Sequence, residues 1–342
     1  MRSAEGSDVA LKKRDSIPEY ILFALVLAGL VWLFFVLPPL GLCSNDEGAK
    51  FVQMKNFVLH HRLEIDFPAQ RLGFGLEHIL RDQAMFAERM GKMYCTYPPL
   101  FSFLSSLFYP LLGNRVTHFL SLFSFFLSLV LLSRILRRLR TSALMRYSML
   151  FAFLLGSPVL MYSITFWEHL VGVLMAMCGL YFVVRHFGTD GARVTGDLPA
   201  SAHPQSGRGT SLFLSAFFLG VGALFRTEML FLVAAYMVAL VANAAGSEGS
   251  GGKRWKKLWP AAVGAAIPLL GNAVFNYVNY RHPWLHVAYN SPGFRLSGWF
   301  AALPVGALLG AVALFVSWKA RRPGPTDRAG FWGSSLSSGF GL

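Results

Sequence analysis

The longest apolar runs of this chain constrain its fold more than any other feature of the sequence. The first run, from Ile21 to Leu37, contains no charged residue, and several later runs approach or exceed the ~18 residues typical of a membrane-spanning helix. Of the 342 residues, 54% are hydrophobic and only 14% are charged, whereas a soluble domain carries about 25% charged residues. The sequence therefore predicts an all-α polytopic membrane protein.

The basic residues of the chain follow a membrane pattern. The net charge is +14, which in a soluble protein would suggest nucleic acid, but Lys and Arg also collect in cytoplasmic loops of membrane proteins. No nucleic-acid-binding motif is evident, so we expect no nucleic-acid partner. Basic residues 12–14 precede the first apolar run and acidic residues follow it. This order predicts a cytoplasmic N-terminus and an uncleaved first helix.

The pattern predicts about eight spans with both termini in the cytoplasm. A cytoplasmic N-terminus (1–18) precedes a transmembrane domain (19–322), which contains a Gly/Pro/Ser-rich cytoplasmic loop (185–210). A disordered tail (323–342) follows. The expected spans are residues 21–37, 116–132, 147–163, 170–184, 211–225, 229–242, 258–278 and 298–318.

A large exoplasmic loop is expected over residues 38–115. Apolar residues at helical spacing within 51–58 and 76–86 predict interfacial helices. Residues 97–112 are apolar enough to span, but a full crossing would move the basic stretch 134–146 to the outside, against the charge rule. We therefore predict a re-entrant or interfacial helix there.

The spacing of the three cysteines does not match a metal-binding motif. Cys178 lies inside an apolar run, as a small core residue would. Cys43 and Cys95 bracket the first loop, and an oxidising compartment would permit a disulfide between them. The sequence alone does not decide whether their Cα atoms come close enough.

Adjacent carboxylates at Asp46 and Glu47 follow the first span. Carboxylate oxygens suit Mg²⁺ or Mn²⁺, and a single carboxylate could instead be a general base. Capping of a following helix by Asp46 or Asn45 is an equally open interpretation.

An acid and an imidazole, Glu168 and His169, come at the start of an almost uncharged span. They are candidates for proton relay or for metal binding, with Asp46 and Glu168 as the tentative ligands. The alternative is an interfacial tryptophan belt, represented here by Trp167, with a helix-capping acid.

Charged residues also interrupt the apolar stretch from Leu212 to Val241. Arg226 and Glu228 predict either the turn of a helical hairpin or a charged pair within the membrane. The planar guanidinium of Arg226 suits a phosphate, although a self-satisfied Arg–Glu pair is the simpler explanation. Lys92 and Tyr97, at the end of the first loop, are open to an interfacial or a substrate-binding role.

The order of these motifs resembles that of the GT-C superfamily of integral membrane glycosyltransferases. The resemblance is closest to the bacterial branch related to protein O-mannosyltransferases and the lipid A aminoarabinose transferase, and it covers about residues 18–300. The motifs that carry it are Asn45-Asp-Glu-Gly48, Pro98-Pro-Leu100, Leu107-Phe-Tyr-Pro-Leu-Leu-Gly113, Arg134-Ile-Leu-Arg-Arg-Leu-Arg140, Ser157-Pro-Val-Leu-Met-Tyr-Ser163 with Glu168, and Gly222-Ala-Leu-Phe-Arg-Thr-Glu-Met229.

The resemblance implies transfer of a sugar from a polyprenyl-phosphate donor to a lipid, glycan or protein acceptor. The reaction would take place on the exoplasmic face of a bacterial inner membrane, with a divalent cation as an optional cofactor. By position, Asp46 or Glu47 matches the first-loop acid, proposed as base or metal site, and Glu168 matches the acid of the second exoplasmic loop. Arg226 would face the donor phosphate. Relatives often have Lys where this chain has Tyr97, and Lys92 is the expected substitute.

Two other classes of function are compatible with the sequence. A transporter or flippase of a lipid-linked substrate would need polar groups at mid-membrane and often has inverted repeats. The charges here collect at one face instead, and no repeat is evident. A truncated, non-catalytic membrane scaffold is the other alternative.

Overall fold

The fold is described from a computed structural model of the chain. The sequence expectations for the eighth span, the second interfacial helix before residue 86, the tail and Cys43 lie outside the described residues. The structure describes residues 17–39, 42, 44–65, 86–89, 92–194, 207–245 and 258–281.

The described residues are mostly helical. They form ten α-helices, one 3-10 turn and three short strands. The helices are α1 Ile17–Val36, α2 Asn45–His60, α3 Pro99–Leu112, α4 Val116–Arg138, α5 Ala143–Leu155, α6 Val159–Ser163, α7 His169–Val194, α8 Gly207–Phe225, α9 Met229–Ala245 and α10 Trp259–Tyr280. The strands are β1 Glu64–Ile65, β2 Phe86–Arg89 and β3 Lys92–Cys95, and the 3-10 turn is Gly113–Arg115.

Four helical stretches are long and apolar enough to cross a membrane. They are Ile17–Val36, Pro99–Arg138, His169–Phe187 and Trp259–Tyr280. These stretches cover the expected second and fourth spans in full, and the first and seventh except for one residue each, which supports a helical membrane protein. The full number of about eight crossings stays a prediction.

The third expected span is not one helix, and that prediction was wrong. Residues 147–163 are divided between α5, which ends at Leu155, and the short α6, which begins at Val159. Pro158 has no backbone N–H and disfavours helical geometry in the residue before it. Gly156 closes α5 by donating its N–H to the Ala152 carbonyl at 2.9 Å.

The expected fifth and sixth spans form separate helices, α8 and α9, which contact each other. Arg226, Thr227 and Glu228 make the turn between them, and the Met229 N–H donates to the Arg226 carbonyl at 3.0 Å. Of the two interpretations left open by the sequence, the helical hairpin is therefore the one that the structure adopts.

The segment predicted to be re-entrant forms α3, which packs on α2 and leads through the 3-10 turn into α4. With a rise of ~1.5 Å per residue, α3 is about 21 Å long, shorter than the ~30 Å hydrocarbon core. Gly113, with φ of 55°, ends α3 in a conformation that glycine adopts readily. The depth of α3 in the membrane stays a prediction.

A small antiparallel sheet in the first loop was missed by the sequence analysis. The strand order is β1-β3-β2, with Glu64 opposite Tyr94 and Phe86 opposite Cys95. Phe86, expected in a helix, therefore lies in a strand. A signal was present, since only Met90-Gly91 separates two short runs, and a two-residue connection with glycine is typical of a β-hairpin.

One hydrophobic cluster joins the first loop to the apolar helices. Met54 of α2 and Phe101 of α3 are almost fully buried, and Phe101 contacts Phe166 with ring centroids 4.9 Å apart. Helix α2 covers residues 45–60, which confirms the helix expected over residues 51–58. The buried members of the cluster are Met54, Phe101, Val116, Leu120, Phe166, Val171 and Phe225.

Polar contacts hold both ends of α1, whose middle is largely exposed. Near its start, Glu19 is only 1% exposed and forms ion pairs with Arg137 of α4 and Arg146 of α5. At its end, the Arg115 guanidinium donates to the Phe34 and Phe35 carbonyls at 2.7 and 3.0 Å. The last carbonyls of a helix have no partner within the helix, so Arg115 satisfies groups that would otherwise need water.

Replacing Glu19 by Gln should destabilise the protein, because Arg146 would lose its buried counter-charge. Breaking a buried ion pair costs about 3–5 kcal/mol, and we expect the lower end since the Arg137 side chain is 38% exposed. Unfolding of the purified protein in detergent measures the effect. Arg134→Gln, at an exposed position one turn earlier on α4, is the control and should change stability by less than about 0.5 kcal/mol. Equal stability of E19Q and the wild type would contradict the prediction.

Candidate functional site

A buried carboxylate, Glu168, lies at the centre of a polar cluster between three distant segments of the chain. It immediately precedes α7 and is only 5% exposed. One carboxylate oxygen pairs with the Lys50 ammonium from α2, and the other lies 3.5 Å from Nη1 of Arg226 in the α8–α9 turn. A buried carboxylate needs such counter-charges to remain ionised, so the three segments depend on one another.

Lys50 is the main residue that the sequence analysis missed. It is 2% exposed, and its Nζ lies 4.5 Å from the centre of the Tyr97 ring and 5.9 Å from that of Trp167. These are cation–π distances. The signal in the sequence was its position four residues after Asp46, which places both on one side of a helix.

The acidic pair at the start of α2 does not cap the helix. Ser44 is the N-cap residue, and its side chain accepts a hydrogen bond from the Glu47 N–H at 3.3 Å. The capping interpretation for Asp46 or Asn45 was therefore wrong. Glu47 is buried, whereas Asp46 is partly exposed. Both carboxylates lie in the first helical turn, where the helix dipole favours negative charge.

Tyr97 connects Asp46 to the cluster. The Tyr97 hydroxyl donates a hydrogen bond to the Asp46 carboxylate. Burial raises the pKa of Tyr97, and the hydrogen bond and charge of Asp46 raise it further. Tyr97 is therefore a protonated donor at neutral pH, and its ring also covers the Lys50 ammonium.

Arg226 makes further contacts in the α8–α9 turn and at the start of α7. Its Nη2 lies 2.6 Å from a carboxylate oxygen of Glu228, and its Nη1 lies 2.9 Å from Nδ1 and 2.5 Å from Nε2 of His169. A guanidinium only donates, so the unprotonated nitrogen of His169 accepts. Partial loss of solvent opposes the charged form of Glu228, but the charge and hydrogen bond of Arg226 together with a backbone hydrogen bond lower the pKa of this carboxyl.

Aromatic rings fix the position of the His169 imidazole. It stacks on Tyr162 at 4.5 Å and on Trp167 at 4.9 Å between ring centroids. The segment before α7 is fixed as well, because the Ser121 hydroxyl of α4 donates to the Thr165 carbonyl at 2.9 Å. The cluster is thus held by rigid neighbours.

The structure brings most of the predicted site residues together. Two of them stay open: Glu47, which is buried in the first turn of α2, and Lys92, whose backbone begins β3 opposite Arg89. The Lys50 ammonium pairs with Glu168 and lies over the Tyr97 ring, which links the first loop to the start of α7. The predicted residues that share the cluster are Asp46, Tyr97, Glu168, His169, Arg226 and Glu228.

The residues do not fit a divalent cation well. Both oxygens of Glu168, a tentative ligand, face the cations Lys50 and Arg226. Within the part of the chain that the structure describes, no group of three or more His, Cys, Asp or Glu side chains could hold a metal ion. The metal site formed by Asp46 and Glu168 stays a prediction.

The first-loop acid, the second-loop acid and the basic turn that carry the GT-C resemblance meet in this cluster. Comparison of the chain with family models, curated proteins and solved structures finds no match. The resemblance therefore stays an expectation drawn from the motifs. Chemically, the cluster offers the Asp46 carboxylate, which accepts a hydrogen bond from Tyr97, beside the cations Lys50 and Arg226.

A double-mutant cycle should detect the coupling between Lys50 and Glu168. Lys50→Met leaves Glu168 with Arg226 as its remaining described counter-charge and should cost about 3–5 kcal/mol of stability. Adding Glu168→Gln removes the buried charge, so the double variant should be less destabilised than the sum of the single changes, by up to about 3 kcal/mol. The measurement is unfolding in detergent.

The control cycle tests Lys55 in place of Lys50. Lys55 also lies on α2, and its ammonium contacts the Tyr109 ring of α3. Lys55→Met and Glu168→Gln should be additive. Additivity in both cycles would show that Lys50 and Glu168 are not coupled.

Cys95 should behave as an inert free thiol. It is buried and free, and burial raises its pKa to about 12. Because the thiolate is the reactive form, maleimide at pH 7–8 should label Cys95 only after denaturation, whereas His60→Cys, at an exposed position of α2, should be labelled at once. Non-reducing peptide mapping completes the test: a Cys43–Cys95 disulfide in the mature protein would contradict it.

Proposed function

We propose that the chain is a GT-C-like membrane glycosyltransferase that moves a sugar from a polyprenyl-phosphate donor to an acceptor hydroxyl on the exoplasmic face. The observation that carries the proposal is the meeting of Asp46, Glu168 and Arg226, from three segments remote in sequence, in one polar cluster around the buried Glu168. Charged side chains that served only solubility would be exposed to water and separate from one another.

The position of the cluster relative to the apolar helices supports a site at one membrane face. The start of α4 lies beside it, since His118 contacts the Ile164 carbonyl at 2.9 Å. The end of α4 carries Arg137, which pairs with Glu19. At ~1.5 Å per residue, His118 and Arg137 are about 28 Å apart along the helix, close to the ~30 Å hydrocarbon thickness. The two charged clusters would thus lie at opposite faces.

The positive-inside rule then assigns the faces. The end of α4 and the turn after it are rich in arginine, which places them in the cytoplasm. The Glu168 cluster lies toward the opposite end and is exoplasmic by this argument. That is the face on which the family resemblance expects a lipid-linked donor.

In the proposed reaction, the acceptor oxygen forms a bond to the anomeric carbon of the sugar. The bond between that carbon and the phosphate oxygen breaks, and its electron pair leaves with the polyprenyl phosphate. Asp46 takes the proton of the acceptor hydroxyl. Arg226 and Lys50 stabilise the negative charge that develops on the phosphate, an effect that is strong where water is excluded.

The contacts suggest separate roles for the two glutamates around Arg226. Glu168 is buried between both cations and would hold them in place. Glu228 is mostly exposed in the same turn, so donor phosphate could replace its carboxylate on Nη2 of Arg226. Glu168 is therefore proposed as a positioning residue and Asp46 as the base.

The test is turnover by the full chain in nanodiscs, supplied with a panel of polyprenyl-phosphate-linked hexoses and pentoses. Released polyprenyl phosphate is the readout. Asp46→Asn should lower turnover by ~10²–10⁴-fold while the protein still binds polyprenyl phosphate, and Arg226→Gln should weaken that binding. Arg138→Gln, near the opposite end of α4, is the matched control and should retain both properties.

Undiminished turnover in an Asp46→Asn/Glu47→Gln variant would overturn the assignment of the base. Movement of labelled donor lipid across vesicles without sugar transfer would favour the transporter. Absence of donor binding by the wild type would favour the scaffold.

A further inference from the structure

We infer that the chain has a second anion-binding site, which takes a phosphate group, in a pocket at the other end of α2. The pocket has a volume of about 470 Å³, within the usual range of small-ligand sites. It lies between the segment that follows α2 and the end of α10. The described residues that line it include His61, Arg62, Glu64, Tyr94 and Arg281.

Among the described lining residues, three are basic. His61, Arg62 and Arg281 can each donate hydrogen bonds to an anion, and Glu64 is the one carboxylate in this described part of the lining. Two guanidiniums from separate segments can bind phosphate oxygens through several N–H groups at once. The net positive charge of the described lining therefore favours a phosphate over a cation.

The walls of the pocket are fixed before any ligand binds. The Asn56 side-chain amide donates to the Arg62 and Glu64 carbonyls, at 2.7 Å in each case. Tyr94 packs edge-to-face on Tyr280 with ring centroids 5.1 Å apart, and both rings are buried. A fixed site loses little entropy on binding.

Two of the basic residues occupy a conformation that is costly for them. His61 and Arg281 have positive φ, 53° and 55°, and end α2 and α10 by donating their N–H groups to the Phe57 and Tyr277 carbonyls. Glycine or asparagine is usual at such positions. A strained non-glycine residue suggests that the side chain has a role, and here two of them line the same pocket.

A simpler explanation is that the cations offset the partial negative charge at the two helix ends. Each end carries about half a charge, and its backbone is already capped by His61 or Arg281. Arg62 and Arg281 together with Glu64 carry a net charge of +1, about equal to the two half-charges of the helix ends, so charge alone is compatible with both explanations. The two explanations predict different effects of substituting Arg281 on stability and on phosphate binding.

The pocket is separate from the Glu168 cluster. Lys50 belongs to that cluster and His61 to the pocket, and along α2 they are about 16 Å apart at ~1.5 Å per residue. A single phosphate cannot contact both. The inference therefore holds whether or not the chain transfers sugars.

The test measures phosphate binding by the full chain in an Arg226→Gln background, which weakens the first cluster, and again in the wild type. Inorganic phosphate is titrated calorimetrically, and retention of phosphatidic acid against phosphatidylcholine is measured by native mass spectrometry. Arg62→Gln and Arg281→Gln should each lower affinity about 10-fold or more. Arg140→Gln is the matched control, since Arg140 also has positive φ, 55°, but lies outside the pocket.

Arg281→Gly separates the two explanations. Glycine relieves the strain at this helix end, so the melting temperature should hold or rise while phosphate binding falls. Binding of inorganic phosphate would identify free phosphate as a ligand, and binding of phosphatidic acid alone would identify a lipid headgroup.

Equal binding by the wild type, R62Q and R281Q, no binding of either probe, or equal retention of phosphatidylcholine would overturn the inference.

Discussion

The burial of Glu168 between Lys50 and Arg226 is the interaction on which the rest of the structure depends. Removing three charges from water is costly unless they pair closely. Each charge comes from a different part of the chain: the first loop, the start of α7 and the α8–α9 turn. The first loop can therefore pack on the apolar helices only when both later segments are in place.

Much of the helical architecture could be predicted from the sequence because a membrane span is a local signal. The apolar runs that became α1, α4, α7 and α10 are long enough to be recognised individually. The broken third span was missed because apolar composition dominated over the local effect of Pro158. The sheet was missed because its strands are short and their alternation is weak.

The site was partly predictable for a different reason. Acids and arginines that interrupt apolar stretches stand out in sequence, which is how Glu168 and Arg226 were found. Lys50 did not stand out, because it lies in an amphipathic helix where a lysine is ordinarily exposed. Its burial depends on Tyr97 and Trp167, and sequence spacing gives no indication of such long-range contacts.

The two polar attachments of α1 have a consequence for the membrane itself. Glu19 is fixed near one end of the helix and the carbonyls of Phe34 and Phe35 near the other, so the apolar length between them cannot change by sliding. Because α1 is otherwise largely exposed to its surroundings, a thicker or thinner bilayer must be matched by tilting the helix together with α4, or by deforming the lipid around it. The helix thereby sets the hydrophobic thickness at which the whole molecule is least strained.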